Sequence, residues 1–268
     1  MKEKILKTLH DIEIQRQIEI IYAVESGSRA WGFASPDSDY DIRFLYVNKP
    51  KWYFSILAKA DNWNIKDGKN DLDFNGWDIK KALELLLKSN MSLYEWFNSP
   101  IVYIDSPKAQ EFRKLSDKFW NKTSLIFSYA ALARRNYKAY ISGEDRVRAK
   151  KYLYILRTLA ACLWIGNLGT FPPIGINKLA EMLKKQDKSI SDFLTHLIET
   201  KKQGTELGII TPKKEINTWI EKNIDYYLTN PNKYEKPPKD ISLLDGYFYR
   251  AVFGCYQLRY VNNTDNVI

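Results

Sequence analysis

The chain has 268 residues, 45% of them apolar, and 41 lysines and arginines against 32 aspartates and glutamates give it a net charge of +9. This length suffices for two ordinary domains, and the positive charge is compatible with an RNA partner, although no zinc-finger spacing or RNA-recognition-motif signature is present. Only Cys162 and Cys255 are present, so a disulfide framework is excluded and both are interpreted as buried free thiols. The charged N-terminus is not a signal peptide and no apolar run approaches the ~20 residues of a membrane span, so we expect a cytoplasmic protein without a membrane partner.

The first predicted elements are a strand and a helix that are separated by a glycine-serine turn. The apolar run from Ile18 to Val24 is followed by Glu-Ser-Gly-Ser. Gly27 permits a tight turn and a close approach of the backbone to a ligand. A short helix that opens at Ser28 would direct its free amide groups toward an anion. We therefore expect Gly27, Ser28 and Arg29 to bind the phosphates of a nucleotide.

Two aspartates mark the start of the next predicted strand, which continues from Ile42 to Val47. Asp39 and Asp41 are two residues apart, and alternate residues of a strand point to the same face. Two carboxylates that are held close together repel each other unless a cation or a proton lies between them. Carboxylates suit Mg²⁺ or Mn²⁺, so this spacing predicts a divalent metal site.

The combination of these two segments is more specific than either segment alone. Residues 27–47 resemble the signature of the DNA polymerase beta-like nucleotidyltransferase superfamily, in which Gly-Ser is followed by a variable stretch and Asp-x-Asp. Within it they are similar to predicted nucleotidyltransferases of the YcgL and RNA-ligase-associated type, and residues 76–104 extend the likeness. In that extension Lys81 and Asn90 are candidates for function, while Glu95 and Trp96 are interpreted as packing or capping residues.

The resemblance implies a third carboxylate on a neighbouring strand. Residues 71–78 alternate between polar and apolar side chains over the first five positions, as a half-buried strand does. Asp73 lies at the centre of the polar face, whereas Asp78 is placed to cap the following helix; Asp71 and Asp78 stay as alternatives. By resemblance, Asp39 and Asp41 bind metal, and Asp73 completes the metal site and favours deprotonation of an acceptor hydroxyl.

Beyond residue 105 the sequence changes to long helical patterns. The predicted fold is therefore a mixed α/β (α+β) nucleotidyltransferase domain with a small mixed sheet over residues 1–105, followed by a helical bundle domain over residues 106–268. A loop is expected over 231–238. The predicted helices cover residues 112–120, 124–141, 146–165, 176–184, 190–202, 214–228 and 241–260.

The predicted helix over residues 146–165 carries a cluster of cations beside an apolar seam. Lys150, Lys151, Tyr154 and Arg157 lie within about two turns of one another. Because the resemblance places phosphate-binding groups on the second domain, we expect Lys151, Tyr154 and Arg157 to grip a triphosphate. The alternative is that these side chains form the solvated face of an amphipathic helix.

Together these features predict a metal-dependent nucleotidyltransferase. It would transfer a nucleoside monophosphate from a nucleoside triphosphate to a hydroxyl of RNA, a protein or a small molecule, with release of pyrophosphate. One alternative is a catalytically inactive module that senses nucleotides or binds RNA. A further alternative is an antitoxin-like partner of a second protein.

Overall fold

A mixed sheet of five strands occupies the first half of the chain. The computed structural model describes residues 1–67, 71–204, 207–230 and 240–254. The strands are β1 Glu19–Glu25, β2 Tyr40–Val47, β3 Asn62–Asp67, β4 Leu72–Asp78 and β5 Val102–Asp105. They lie in the order β3-β4-β2-β1-β5, in which β2 and β4 are parallel and the other neighbours are antiparallel.

Twelve helices lie in the described part of the chain, five among these strands and seven after them. The first five are α1 Lys2–Arg16, α2 Gly27–Trp31, α3 Pro50–Tyr53, α4 Ile79–Leu87 and α5 Met91–Phe97. The other seven are α6 Pro107–Ser116, α7 Lys122–Tyr140, α8 Ala149–Leu168, α9 Ile176–Gln186, α10 Lys188–Lys202, α11 Lys214–Thr229 and α12 Ile241–Phe253. None of the described helices is long and apolar enough to cross a membrane.

The predicted fold class is confirmed, and local interactions explain where element boundaries differ. Helix α6 begins earlier than predicted because the Ser106 hydroxyl caps it, accepting a hydrogen bond from the Ala109 amide. Helix α8 begins later than predicted because Val147–Arg148, strand β6, pairs with Ile209–Ile210, strand β7. Cys162 is a buried free thiol, as predicted. The 231–238 loop, Cys255 and the end of the helix predicted over 241–260 lie outside the described residues.

The two faces of the sheet contact different parts of the molecule. Ile42, Phe44 and Tyr46 alternate along β2 with Leu45 and Val47. The first three pack in the apolar cluster that contains the buried residues of α1. The other two belong to a larger cluster with the buried residues of α4 through α8. Odd-numbered side chains of β2 therefore face the helical half of the chain.

The apolar core continues across the predicted domain boundary at residues 105 and 106. Leu45 of the sheet shares one buried cluster with Phe112, Tyr129 and Tyr247. Helix α12 packs against α6, where the rings of Tyr247 and Phe112 stack at 5.0 Å and the Tyr247 hydroxyl donates to the Lys108 carbonyl. The division into two domains stays a prediction, because the two halves share this core.

Candidate active site

The turn after β1 places a glycine directly beneath a carboxylate. Gly27 has φ +59°, a conformation that favours glycine, and a Cβ atom there would lie 2.0 Å from Asp41 Oδ2. The Ser28 side chain is buried beside it. Helix α2, which begins here, has only five residues. Its dipole is correspondingly short, so charged side chains must supply most of the attraction for a phosphate group.

Strands β2 and β4 bring two of the predicted carboxylates together. Asp41 lies directly opposite Asp73 in the parallel pairing of these strands. Arg43, two residues after Asp41, joins them, because its Nη2 lies 2.9 Å from Asp41 Oδ1 and 3.0 Å from Asp73 Oδ2. Asp39 precedes β2 and is exposed. Burial raises the pKa of Asp41, the nearby Asp73 and Asp39 raise it further, and Arg43 opposes them.

The other candidates for the third carboxylate have different surroundings. Asp78 caps helix α4, since its Oδ1 accepts a hydrogen bond of 2.8 Å from the Lys80 amide. Its second oxygen accepts from Asn48 and Tyr53. Asp71 is exposed and lies before β4 in the left-handed region, with φ +52°. Asp73 is therefore the carboxylate that the sheet places beside Asp41, although its chemical role stays a prediction.

A cleft of about 450 Å³ opens between this edge of the sheet and the helical half of the chain. One wall carries the turn and the first two aspartates, and the other carries polar side chains of α8 and α10. Tyr154 is the member of the predicted α8 triad that lines it. The lining of the cleft includes Gly27, Ser28, Asp39, Asp41, Lys150, Tyr154 and Lys201.

Two lysines provide the positive charge of the cleft. Lys150 and Lys201 line it, and neither forms an ion pair within 4 Å with a carboxylate of the described residues. Burial lowers the pKa of Lys201 and nearby Lys150 lowers it further, while Asp37, Asp41 and Asp39 oppose that shift. Bringing a polyanion between the two amines would relieve their mutual repulsion. Sequence reasoning named Lys150 without selecting it and missed Lys201, which no local pattern distinguishes from other helix-terminal lysines.

Two predicted nucleotide ligands contact protein groups elsewhere. The Lys151 amine lies over the ring of Tyr140, 3.4 Å from its centroid, and is absent from the lining of the cleft. The Arg29 guanidinium lies over the Tyr40 ring and donates to the backbone carbonyls of Ser38 and Asp39. Arg29 thus holds the loop that carries Asp39. The Lys151 amine is directed to α7, and its expected contact with a triphosphate stays a prediction.

Arg157 is also absent from the lining of the cleft, and its expected contact with a triphosphate stays a prediction. Arg157 is only 2% exposed, and its Nη2 donates to Glu95 Oε1 at 2.8 Å. Its guanidinium carbon lies 3.9 Å from the ring centroid of Trp31, whose Nε1 donates to Glu95 Oε2, and the Tyr129 hydroxyl also donates to Glu95. Arg157 therefore joins α8 to α5 through a buried ion pair and fixes Trp31 at the edge of the cleft.

The remaining candidates between residues 76 and 104 have structural partners. Lys81 forms an ion pair of 2.7 Å with Asp61. Asn90 caps α5 by accepting hydrogen bonds from two backbone amides. Trp96 stacks on Trp77 with a centroid distance of 3.7 Å. These contacts account for all three side chains as parts of the scaffold.

The carboxylates fit one divalent ion better than the expected cluster of three ligands. No group of three histidine, cysteine, aspartate or glutamate side chains is arranged to hold a metal within the described ranges. Asp39 and Asp41 both line the cleft, and Mg²⁺ is commonly bound by one or two carboxylates together with water and substrate phosphates. Asp73 does not line the cleft and is paired with Arg43 instead. Asp39 and Asp41 could thus hold one ion.

Comparison with known proteins places these features in a family. The model of the RNA repair pathway DNA polymerase beta family matches residues 1–250. The chain belongs to this family. It is also 40% identical over 244 residues to a Bacillus subtilis (strain 168) protein named "Uncharacterized protein YcgL", covering 90% of this chain and 92% of that one. The resemblance inferred from residues 27–47 is confirmed, and membership supports a role of the nucleotidyltransferase type.

A solved structure of a nucleotidyltransferase-like protein from Exiguobacterium sibiricum 255-15 is a more distant neighbour. The superposition covers 94% of this chain and 81% of that one, with 10% identity and a TM-score of 0.34.

Proposed function

We propose that this protein transfers a nucleoside monophosphate from a nucleoside triphosphate to a hydroxyl group of an acceptor and releases pyrophosphate. The observation that carries the proposal is the cleft in which Asp39 and Asp41 share a lining with Lys150 and Lys201 above the Gly27 turn. A triphosphate with a divalent cation has the charges that this lining would complement. Membership of a polymerase beta family supports the same reaction class.

The triphosphate would lie between the two walls of the cleft. Lys150 and Lys201 would bind its phosphate oxygens, and the Ser28 hydroxyl and the Tyr154 hydroxyl would donate hydrogen bonds. Asp39 and Asp41 would hold a Mg²⁺ or Mn²⁺ ion, which would neutralise phosphate charge when bound. The tight packing of Asp41 over Gly27 keeps its carboxylate in one position.

The reaction would be a displacement at the α-phosphorus. The acceptor hydroxyl oxygen forms a bond to this phosphorus while the bond to the oxygen that bridges the α- and β-phosphates breaks, and pyrophosphate leaves with the electron pair. We assign the hydroxyl proton to Asp73, which lies beside Asp41 on the neighbouring strand. Because Asp73 lies outside the lining of the cleft and its side chain is 30% exposed, the acceptor would approach from the solvent side of this strand pair and not through the cleft. RNA is the acceptor that we propose to test first, because the chain carries a net charge of +9 and the matched family is described by RNA repair.

One observation favours a second candidate, a nucleotide-binding module without turnover. Arg43 holds Asp73, so the Asp73 carboxylate already has a partner within the protein. In such a module Asp73 would serve the sheet structure alone. Turnover that is lost in Asp73→Asn, with triphosphate binding retained, would exclude this second candidate.

The test uses the full chain with Mn²⁺ and triphosphates labelled at the α-phosphate. We expect binding in equilibrium dialysis and transfer of label to RNA in a mixture of cellular RNAs. The double variant Asp39→Asn, Asp41→Asn should lose both, whereas Asp71→Asn, a matched change at an exposed aspartate near the same strands, should lose neither. Triphosphate binding that is absent, or unchanged in the double variant, contradicts the proposal.

A further inference from the structure

The guanidinium of Arg43 lies between the two carboxylates that the neighbouring strands bring together. Its Nη2 donates to Asp41 Oδ1 at 2.9 Å and to Asp73 Oδ2 at 3.0 Å. Its Nη1 donates to the backbone carbonyls of Ile42 at 3.1 Å and Asp73 at 3.0 Å. Four hydrogen bonds from two nitrogens therefore fix this side chain, whose exposure is only 18%.

This position is where carboxylates on two strands would share a divalent ion. A Mg²⁺ ion contacts its oxygen ligands at about 2.0–2.1 Å, so it could not occupy the space between these oxygens while Nη2 contacts both. Arginine keeps its positive charge throughout the range in which proteins fold. The positive charge between Asp41 and Asp73 is thus part of the chain itself.

The oxygens left for a metal lie on the other side of Asp41. Asp41 Oδ2 is the atom that lies against Gly27, and it is not the oxygen that Arg43 contacts. Asp41 lines the cleft together with Asp39, whereas Arg43 and Asp73 are absent from that lining. Asp41 therefore belongs to two separate pairs of carboxylates. It forms one pair with Asp39 on the side of the cleft and the other with Asp73, to which Arg43 joins it.

We propose that Arg43 takes the place of a second divalent ion, so that the protein binds one ion, at Asp39 and Asp41. Arg43 is a positioning residue, because it holds Asp73 beside Asp41 and offsets the charge of both. This inference rests on the proposed function in one respect, namely that Asp39 and Asp41 bind a metal. It further states that Asp73 is not a metal ligand.

The experiment measures Mn²⁺ binding to the nucleotide-free full chain by electron paramagnetic resonance of free Mn²⁺. We expect one Mn²⁺ per chain. Asp39→Asn or Asp41→Asn should lower the affinity by at least about 10- to 100-fold, because loss of a ligand should cost no less than loss of an outer-shell partner does. Asp73→Asn should leave the count at one Mn²⁺ and change the affinity far less than either of these variants, because the Asp73 carboxylate contacts Arg43 and not the metal. In the Arg43→Met background, Asp73 is released toward the metal, and Asp73→Asn should now weaken Mn²⁺ binding.

Arg113→Gln provides a matched control, because it also removes an arginine that is paired with an aspartate. Arg113 Nη2 lies 2.8 Å from Asp105 Oδ2, and neither residue lines the cleft. It should leave the Mn²⁺ count and affinity unchanged. If Arg43→Met unfolds, as judged by circular dichroism, Arg43→Lys retains the charge, and Asp73→Asn should be without effect in that background too.

The outcomes separate this inference from the proposed function. Two Mn²⁺ ions per wild-type chain, or a tenfold loss caused by Asp73→Asn alone, would overturn the role of Arg43 and leave the nucleotidyltransferase proposal standing. If the chain binds no Mn²⁺, or binds it equally well without Asp39 and Asp41, both the role of Arg43 and the proposed function are overturned.

Discussion

The two walls of the cleft differ in how their charges are balanced. On the sheet wall, Asp41 is neutralised in part by Arg43, which also holds Asp73. On the helical wall, Lys150 and Lys201 face the cleft without a carboxylate partner within 4 Å in the described residues. The sheet wall is thus assembled before a ligand arrives, whereas the helical wall needs an anion to complete its charge balance. Under the proposed function, a polyphosphate would supply that anion.

The junction between the walls should have the largest effect on stability. Removing one partner of the buried Arg157–Glu95 pair leaves the other charge unpaired, so we expect Arg157→Ala to lower the free energy of unfolding by about 3–5 kcal/mol. Arg250→Ala is the matched change at an exposed pair with Glu111, and it should cost no more than about 1 kcal/mol. Urea unfolding followed by circular dichroism measures both, and equal losses would contradict the structural role of Arg157.

The sheet wall can be disturbed by a single methyl group. In Gly27→Ala the new Cβ would lie 2.0 Å from Asp41 Oδ2, and φ +59° adds strain of roughly 1–2 kcal/mol. Gly32→Ala has a comparable backbone penalty, since φ is +84°, but meets no atom within 4 Å. We expect Gly27→Ala to abolish label transfer and Gly32→Ala to retain it at a temperature where both are folded. Similar activity in the two variants would show that the position of Asp41 is unimportant.

The helical wall should respond through triphosphate affinity alone. Each of Lys150→Gln and Lys201→Gln should raise the dissociation constant of a triphosphate about tenfold, because one charge-assisted contact of roughly 1.5 kcal/mol is lost. Lys151→Gln is the neighbouring control and should have little effect, since its amine lies over Tyr140. Equilibrium dialysis at two salt concentrations tests this; a larger loss in Lys151→Gln than in Lys150→Gln would reverse our assignment of the wall.

The smallest expected effect is the pH dependence of the stability of the metal-free protein, which depends on Asp41 in the sheet wall. Burial raises the pKa of Asp41 in the folded protein, so the folded state binds its proton more tightly than the unfolded state does. Ionisation of Asp41 therefore lowers stability as pH rises through the raised pKa. We expect Asp41→Asn to stabilise the metal-free protein at neutral pH, with a smaller gain in acid, and Mn²⁺ to stabilise the wild type only. Thermal unfolding at pH 4 and pH 7 measures this, and destabilisation by Asp41→Asn at pH 7 would contradict it.

The comparison of the walls also explains which residues sequence reasoning could identify. Strand alternation is local, so the placement of Asp41 and of Asp73, each on the polar face of its own strand, could be predicted from residues 39–47 and 71–78. That the two strands are neighbours was implied only by the family resemblance. The catalytic assignment of that face stays a prediction. On α8, the cluster from Lys150 to Arg157 spans about two turns, and the chosen residues point in different directions. Tyr154 reaches the cleft, while Arg157 is buried against Glu95.

The sequence by itself determined the family, the mixed α/β fold with its helical second half, and the carboxylate-bearing strands. These follow from short-range periodicity and from a spaced motif, both of which are properties of neighbouring residues. Only the tertiary structure decided that Lys201 and Lys150 face the cleft, that Glu95 is the partner of Arg157, and that Arg43 lies between Asp41 and Asp73. Those contacts join residues distant along the chain, and their geometry depends on how helices pack on the sheet.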